Sequence, residues 1–133
     1  MAIENIKGIA HVGFFVKDIE VTKRFYCDLL GFQSVFEKSE PFPEGGEVKI
    51  VFLKLGDLML ETICVPGLTF PADGCFQHLA MRVENIEEAK EKLEAAGIET
   101  EELVYAQDTF TNGSKWVNFL GPDGEHLELN QIL

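Results

Sequence analysis

Two histidines and two glutamates recur in this chain at one spacing: His78 follows His11 by 67 residues, and Glu128 follows Glu61 by the same 67. Two imidazole nitrogens and two carboxylate oxygens suit a borderline divalent ion such as nickel, cobalt or zinc. The two carboxylates offset the charge of the ion. Four protein ligands on a six-coordinate ion leave two positions open, and open positions mark a catalytic rather than a structural site. A lone His on a strand is usually a satisfied core residue, and a lone Glu near a strand end is usually solvated. A His and a Glu that share one offset call for more than that.

The apolar framework follows the same offset. Val16 aligns with Val83, Asp18-Ile19-Glu20 with Asn85-Ile86-Glu87, Lys23 with Lys90, and Phe52-Leu53 with Phe119-Leu120. The chain therefore reads as two copies of one module, each a strand, a helix and three strands. The first strand lies near residues 8–16, with His11, Gly13 and Phe15 on one face and Val12, Phe14 and Val16 on the other. Asp18 is placed to cap a helix that carries Phe25, Tyr26, Leu29 and Leu30 on one side and stops at Gly31. In the second module Asn85 and Glu88 form a capping-box-like start; Ala89, Leu93 and Ala96 supply the apolar stripe, and Gly97 ends it. Segments 48–55 and 58–65 predict a hairpin turning at Gly56-Asp57, and segments 115–120 and 125–130 another turning at Pro122-Asp123-Gly124. Residues 38–46 and 105–114 read as loops. With His11 and His78 on the first strand of each module and Glu61 and Glu128 late in the last, packing about a pseudo-twofold axis would let all four converge.

Composition restricts the partners. The 133 residues are enough for one domain, 1–133, with a sizeable core, and 46% of them are apolar. A net charge of −12 disfavours nucleic acid and anionic membranes. No apolar run approaches the roughly 20 residues of a bilayer span, and the first residues lack the pattern of a secretory signal. Cys27, Cys64 and Cys75 match no zinc spacing and cannot close a disulfide set. Reduced thiols in a cytoplasmic protein are the expected state.

Three stretches carry a family resemblance: His11-x-Gly13-Phe14-Phe15-Val16-x-Asp18, then Phe25-Tyr26 with Leu30-Gly31-Phe32, and the closing Gly121-Pro122-Asp123-Gly124-x-x-Leu127-Glu128. This pattern, from about residue 7 to 131, resembles the vicinal-oxygen-chelate superfamily of glyoxalase I, bleomycin-resistance proteins and dioxygenases. The resemblance implies an α+β fold in which two βαβββ modules, about 7–66 and 74–131, form a curved mixed sheet that cups a metal site. It carries the family's metal ligands onto His11, Glu61, His78 and Glu128. It also implies a shared reaction. Substrate oxygens meet the metal, a carboxylate (here Glu61 or Glu128) removes a proton from the neighbouring carbon, and the metal stabilises the resulting enolate or enediolate. The expected partners are a small substrate molecule and a second copy of the chain in a homodimer.

Departures from glyoxalase I point to another substrate. Phe15 stands four residues after the first His, where many bacterial glyoxalases I have an Arg for the glutathione carboxylate. Val65 stands where they have an Asn. The stretch Glu47–Gly56 resembles methylmalonyl-CoA epimerase instead, although Phe110–Ser114 does not match that enzyme's loop before the last hairpin. Strand parity puts Arg82 on the face of His78, about 13 Å along the strand, as an anchor for a carboxylate or phosphate of the substrate. His126 faces the side of Glu128 as a supporting partner or proton shuttle. Asn118 and Trp116 share that side as pocket-lining residues, with Trp116 able to stack on substrate. The segment Asp108–Ser114 reads equally as a lid or an ordinary connection, and the acidic run Glu99–Glu102 as solvated surface.

The reading that unites these observations is a metal-dependent isomerase or lyase of glyoxalase I type whose substrate is not the glutathione hemithioacetal. An epimerase of a small acyl or acyl-CoA substrate uses the same site. A ring-opening dioxygenase and a small-molecule-sequestering protein fit less well, because all four ligand positions are intact.

Overall fold

A computed structural model describes residues 11–70 and 78–133. The chain divides into two compact units, residues 1–70 and 71–133. Residues 8–10 of the expected first strand, and Cys75, lie outside the described residues.

The first unit runs β1 (Val12–Phe15), α1 (Ile19–Lys23), β2 (Gln33–Pro41), β3 (Glu47–Leu55) and β4 (Leu58–Cys64). Its sheet has the order β1-β4-β3-β2, with β1 parallel to β4 and the other pairs antiparallel. The second unit repeats this with β5 (Leu79–Arg82), α2 (Ile86–Ala95), β6 (Val104–Ala106), β7 (Ser114–Leu120) and β8 (His126–Ile132), in the order β5-β8-β7-β6. Both units are thus βαβββ modules with mixed sheets, as the α+β resemblance requires. Among the described residues no helix is long and apolar enough to cross a membrane.

Each helix starts where a side chain replaces a missing backbone partner. The Asp18 carboxylate accepts from the amides of Glu20 and Val21 at 2.9 and 3.2 Å, and the Asn85 carbonyl oxygen accepts from Glu88 at 3.0 Å. Asp18→Ala is expected to lower unfolding stability by about 1 kcal/mol, read as a shift of the urea midpoint without a change of slope. Beyond Lys23 the helix widens into a π-type stretch over Arg24–Leu29, with the Leu30 amide bonding Phe25 at 3.2 Å. The widening centres the buried face on Thr22 and Tyr26, while Phe25, Leu29 and Leu30 are half-buried. In α2 the buried residues are Ile86 and Leu93. Ala96, expected in the apolar stripe, is exposed because the helix has already ended there.

One face of each sheet packs on its helix side. In the first unit it supplies Val51, Leu53, Leu60 and Thr62, whose hydroxyl donates to the Val51 carbonyl at 2.8 Å. In the second it supplies Met81, Val117, Phe119, Leu127 and Leu129. The opposite face is the one that bears the histidines and glutamates.

Two expected loops contain strand. Residues 38–41 continue β2, paired with β3 through Pro41↔Glu47, and the connection shrinks to 42–46, closed by Phe42 N–H to the Gly46 carbonyl at 2.9 Å. Every residue of β2 is exposed, so no apolar alternation marks it. It is an edge strand held by its backbone ladder and by Lys23, whose ammonium meets Glu37 at 3.0 Å. Lys23 and Ser34 hold the Glu37 carboxyl below its ordinary value. Similarly, Tyr105 and Ala106 belong to β6 and Ser114 opens β7.

Candidate metal and substrate site

In both units the glutamate sits on the parallel neighbour of the histidine's strand, opposite the residue two beyond the histidine. Gly13 pairs with Glu61 and Ala80 pairs with Glu128. Side chains alternate along a strand, so each His shares a sheet face with its Glu. This placement repeats across two sheets whose local sequences differ.

In the first unit the face is apolar around one carboxylate. His11 meets Phe52 edge-on, with ring centroids 5.5 Å apart, and Phe52 is the cross-strand partner of Glu61. Phe36 lies 6.1 Å beyond Phe52, and Phe15 lies 5.9 Å from Phe70. Gly13 leaves open space beside the acid: a Cβ there would stand 3.6 Å from Glu61 Oε1. Glu61 is half-buried.

The second unit presents a polar face. His78 Nε2 lies 3.4 Å from Glu128 Oε2, and Asn130 donates to Glu128 Oε1 at 2.9 Å. Across the sheet Asn118 pairs with Glu128, and Trp116 and Arg82 both pair with Asn130. His78, Arg82, Trp116, Asn118, His126 and Glu128 therefore occupy one face, as strand parity requires.

Sharing a face does not put these residues in one cavity. A cavity of about 500 Å³ is lined by His78, Asn118, Leu120 and His126 together with Ile98, Glu99 and Glu101. Arg82 opens instead onto a separate recess with Val83, Glu84, Gln131 and Ile132, beyond the far end of β5. Among the described residues, His78 and Arg82 line separate spaces. Trp116 is half-buried and lines neither space.

Glu99 and Glu101 are exposed, as the solvated-surface reading of this acidic run expects, and they lie at the rim of this space. An isolated bridge between Thr100 and Phe119 lays this stretch along the edge of β7, and the Glu101 amide donates to the Asn118 carbonyl at 2.9 Å. Asn118 Nδ2 in turn donates to Glu101 Oε2 at 3.3 Å. One-residue pairing off the named strands leaves no periodicity, so patterning gave no signal for it.

Each unit offers two donors of the kind a borderline divalent ion takes. An imidazole and a carboxylate lie on one face in each, the second pair already within contact distance, and neither histidine is packed in a core. The Asn130 bond that orients Glu128 is the kind of support that metal-ligating carboxylates carry. Among the described residues no three His, Cys, Asp or Glu side chains come together as a cluster; each unit offers a pair.

The class of protein that this repeated βαβββ architecture defines is confirmed by comparison. The model of the Glyoxalase/Bleomycin resistance protein/Dioxygenase superfamily matches residues 8–129, and the chain belongs to that superfamily. A crystal structure of a glyoxalase family protein from Enterococcus faecalis is 37% identical, covers 94% of this chain and 98% of its own, and superposes with a TM-score of 0.73. The Bacillus subtilis (strain 168) protein YwkD, itself described as uncharacterized, is 32% identical over 128 residues, 93% of this chain and 96% of its own. Human mitochondrial methylmalonyl-CoA epimerase is 31% identical over 96 residues, 66% of this chain and 53% of the epimerase.

Proposed function

We propose that the chain is a metal-dependent isomerase or lyase that moves a proton on a carbon next to a carbonyl, through an enolate or enediolate of a small substrate. The observation that carries this reading is the repeated register, Glu61 opposite Gly13 and Glu128 opposite Ala80, which places one His–Glu pair on the same sheet face of each unit. His11 with Glu61, and His78 with Glu128, are the residues that would ligate a divalent ion, with nickel, cobalt and zinc as its chemical candidates. When bound, such an ion supplies Lewis acidity toward negative charge on a substrate oxygen. The Phe52 ring, cross-strand from Glu61, gives this carboxylate an apolar neighbour, and Glu61 is placed to take the proton. His126 and Asn118, on the cavity wall beside His78, orient the polar part of the substrate.

The test is solvent exchange. Protein reconstituted with nickel, cobalt or zinc and placed in deuterated water should incorporate deuterium into at least one of an acyl-CoA epimer pair or a hydroxy-ketone, and should not do so after metal removal. Exchange with neither substrate class, at full metal occupancy, would overturn the proposal.

An epimerase of a small acyl or acyl-CoA substrate is the second reading, supported by the likeness to methylmalonyl-CoA epimerase. The glutathione adduct of methylglyoxal is not the proposed substrate. Phe15, 43% exposed beside Phe70, and the half-buried Val65 offer no polar contact for a glutathione carboxylate or amide. Enclosing a charged group without a partner costs several kcal/mol. Turnover with that adduct is therefore expected far below the roughly 10³ per second of a fast enzyme, and a rate near that value in a steady-state assay would refute the assignment.

A further inference from the structure

The two His–Glu pairs share a register and differ in what holds the carboxylate. Glu61 lies between Gly13 and Phe52 of the neighbouring strands, and Glu128 between Ala80 and Asn118. Two residues further along, Ile63 lies between Phe15 and Ile50, whereas Asn130 lies between Arg82 and Trp116. Ile63 and Asn130 therefore occupy one place in the repeat, again 67 positions apart, each on the sheet face of its glutamate. Isoleucine offers that glutamate no polar atom. Asn130 donates from Nδ2 to Glu128 Oε1 at 2.9 Å, while the other carboxylate oxygen, Oε2, lies 3.4 Å from His78 Nε2. A carboxylate accepts through both oxygens, so the amide occupies one and leaves the other on the imidazole side. The clamp is itself anchored. β8 is paired on both sides, the Asn130 carbonyl accepts from the Val83 amide at 2.9 Å, and the next side chain, Gln131, accepts from the Ile86 amide at the start of α2 at 2.9 Å. The sheet does not require an amide here, because the first unit builds the same strand order with isoleucine in its place.

We propose that Asn130 is a positioning residue that makes Glu128 the fixed partner of His78 in ligation, and that Ile63 leaves Glu61 without such a clamp. One difference within the repeat thereby makes two equivalent carboxylates unequal. The proposal rests on the proposed function for the presence of a divalent ion. Asn130 acts through Glu128 and takes no part in proton transfer.

The test reads zinc affinity of the full chain by competition with a chelator. In the wild-type background Glu128→Gln is expected to weaken zinc binding more than Glu61→Gln does. Asn130→Ile, which installs the residue of the first unit, and Asn130→Leu, close to asparagine in shape, should each weaken it about 10- to 100-fold. The double swap, Asn130→Ile with Ile63→Asn, should recover most of that loss and reverse the order of the two glutamates, so that Glu61→Gln becomes the costlier change. A residue that only supported packing in the second unit would not be rescued from the first. Wild-type zinc affinity in both single Asn130 variants would overturn the proposal. So would a double swap in which Glu128→Gln remains the costlier change. Absence of zinc binding in the wild-type chain would overturn this proposal and the metal reading together. The reversal, seen in a chain that incorporates no deuterium into any substrate, would overturn the proposed reaction and leave this proposal standing.

Discussion

Replacing His78 with alanine is expected to abolish stoichiometric binding of a divalent ion while leaving the unfolding transition nearly unchanged. The imidazole precedes β5, its side chain is 45% exposed, and its contact with Glu128 is 3.4 Å long at an open face. Exposed pairs of this kind contribute little to stability, at most about 1 kcal/mol. Removing a ligand, by contrast, deletes a bond to the ion itself. The loss should exceed the roughly 10- to 100-fold that follows removal of a supporting partner. Asn130 provides that internal scale. It touches Glu128 at 2.9 Å without being a proposed ligand, so Asn130→Ala should fall within the roughly 10- to 100-fold range. Elemental analysis after dialysis against nickel, cobalt or zinc compares the two variants. Full occupancy in the His78→Ala protein would remove His78 from the ligand set and, with it, the reading of the repeat as a metal site.

The second large effect concerns the base. Glu128 is tied to Asn130 and lies against His78. Glu61 is half-buried beside the open Cβ position of Gly13, facing Phe52, with no side-chain hydrogen bond or ion pair to a described residue. A carboxylate with few restraints can move between a ligand position and a substrate carbon; a carboxylate clamped by an amide is suited to stay. Proton abstraction by Glu61 and ligation by Glu128 are therefore the expected division of roles. Glu61→Gln should lower the rate of substrate deuterium exchange by about 10²- to 10⁴-fold, the range of a lost general base, with metal retained through the amide oxygen. Glu128→Gln should act first on metal content. Wild-type exchange in the Glu61→Gln protein would reverse or discard the assignment.

Much of the architecture was legible in the sequence because it is written in burial. The alternation of His11, Gly13 and Phe15 against Val12, Phe14 and Val16 reappears as an open and a packed face of β1. Asp18 and Asn85 cap the helices they precede. The turn at Gly121–Gly124 forms because the Gly121 amide bonds the Glu125 carbonyl and the Glu125 carboxylate occupies the space that a Cβ at residue 121 would need. The common offset of the two His–Glu pairs also survives folding, since an equal number of residues in equal topologies delivers equal register.

What the sequence left open lies where side-chain patterning carries no information. The strand β2 is exposed along its whole length and β6 is three residues long, so only backbone pairing with a neighbour reveals them. The π-type widening after Lys23 shifts the buried stripe of the first helix by a fraction of a turn, which a fixed helical period cannot anticipate. Glu101 reaches Asn118 through one bridge between segments 17 positions apart in the chain. Arg82 shares a parity with His78 and still opens elsewhere, because parity fixes which face a side chain takes and says nothing about how far along that face a cavity extends. Sequence alone therefore determined the family, the repeat and the candidate ligands. The tertiary structure decided which polar residues share a cavity, because that depends on edge pairing and distance along the sheet, neither of which leaves a periodic trace.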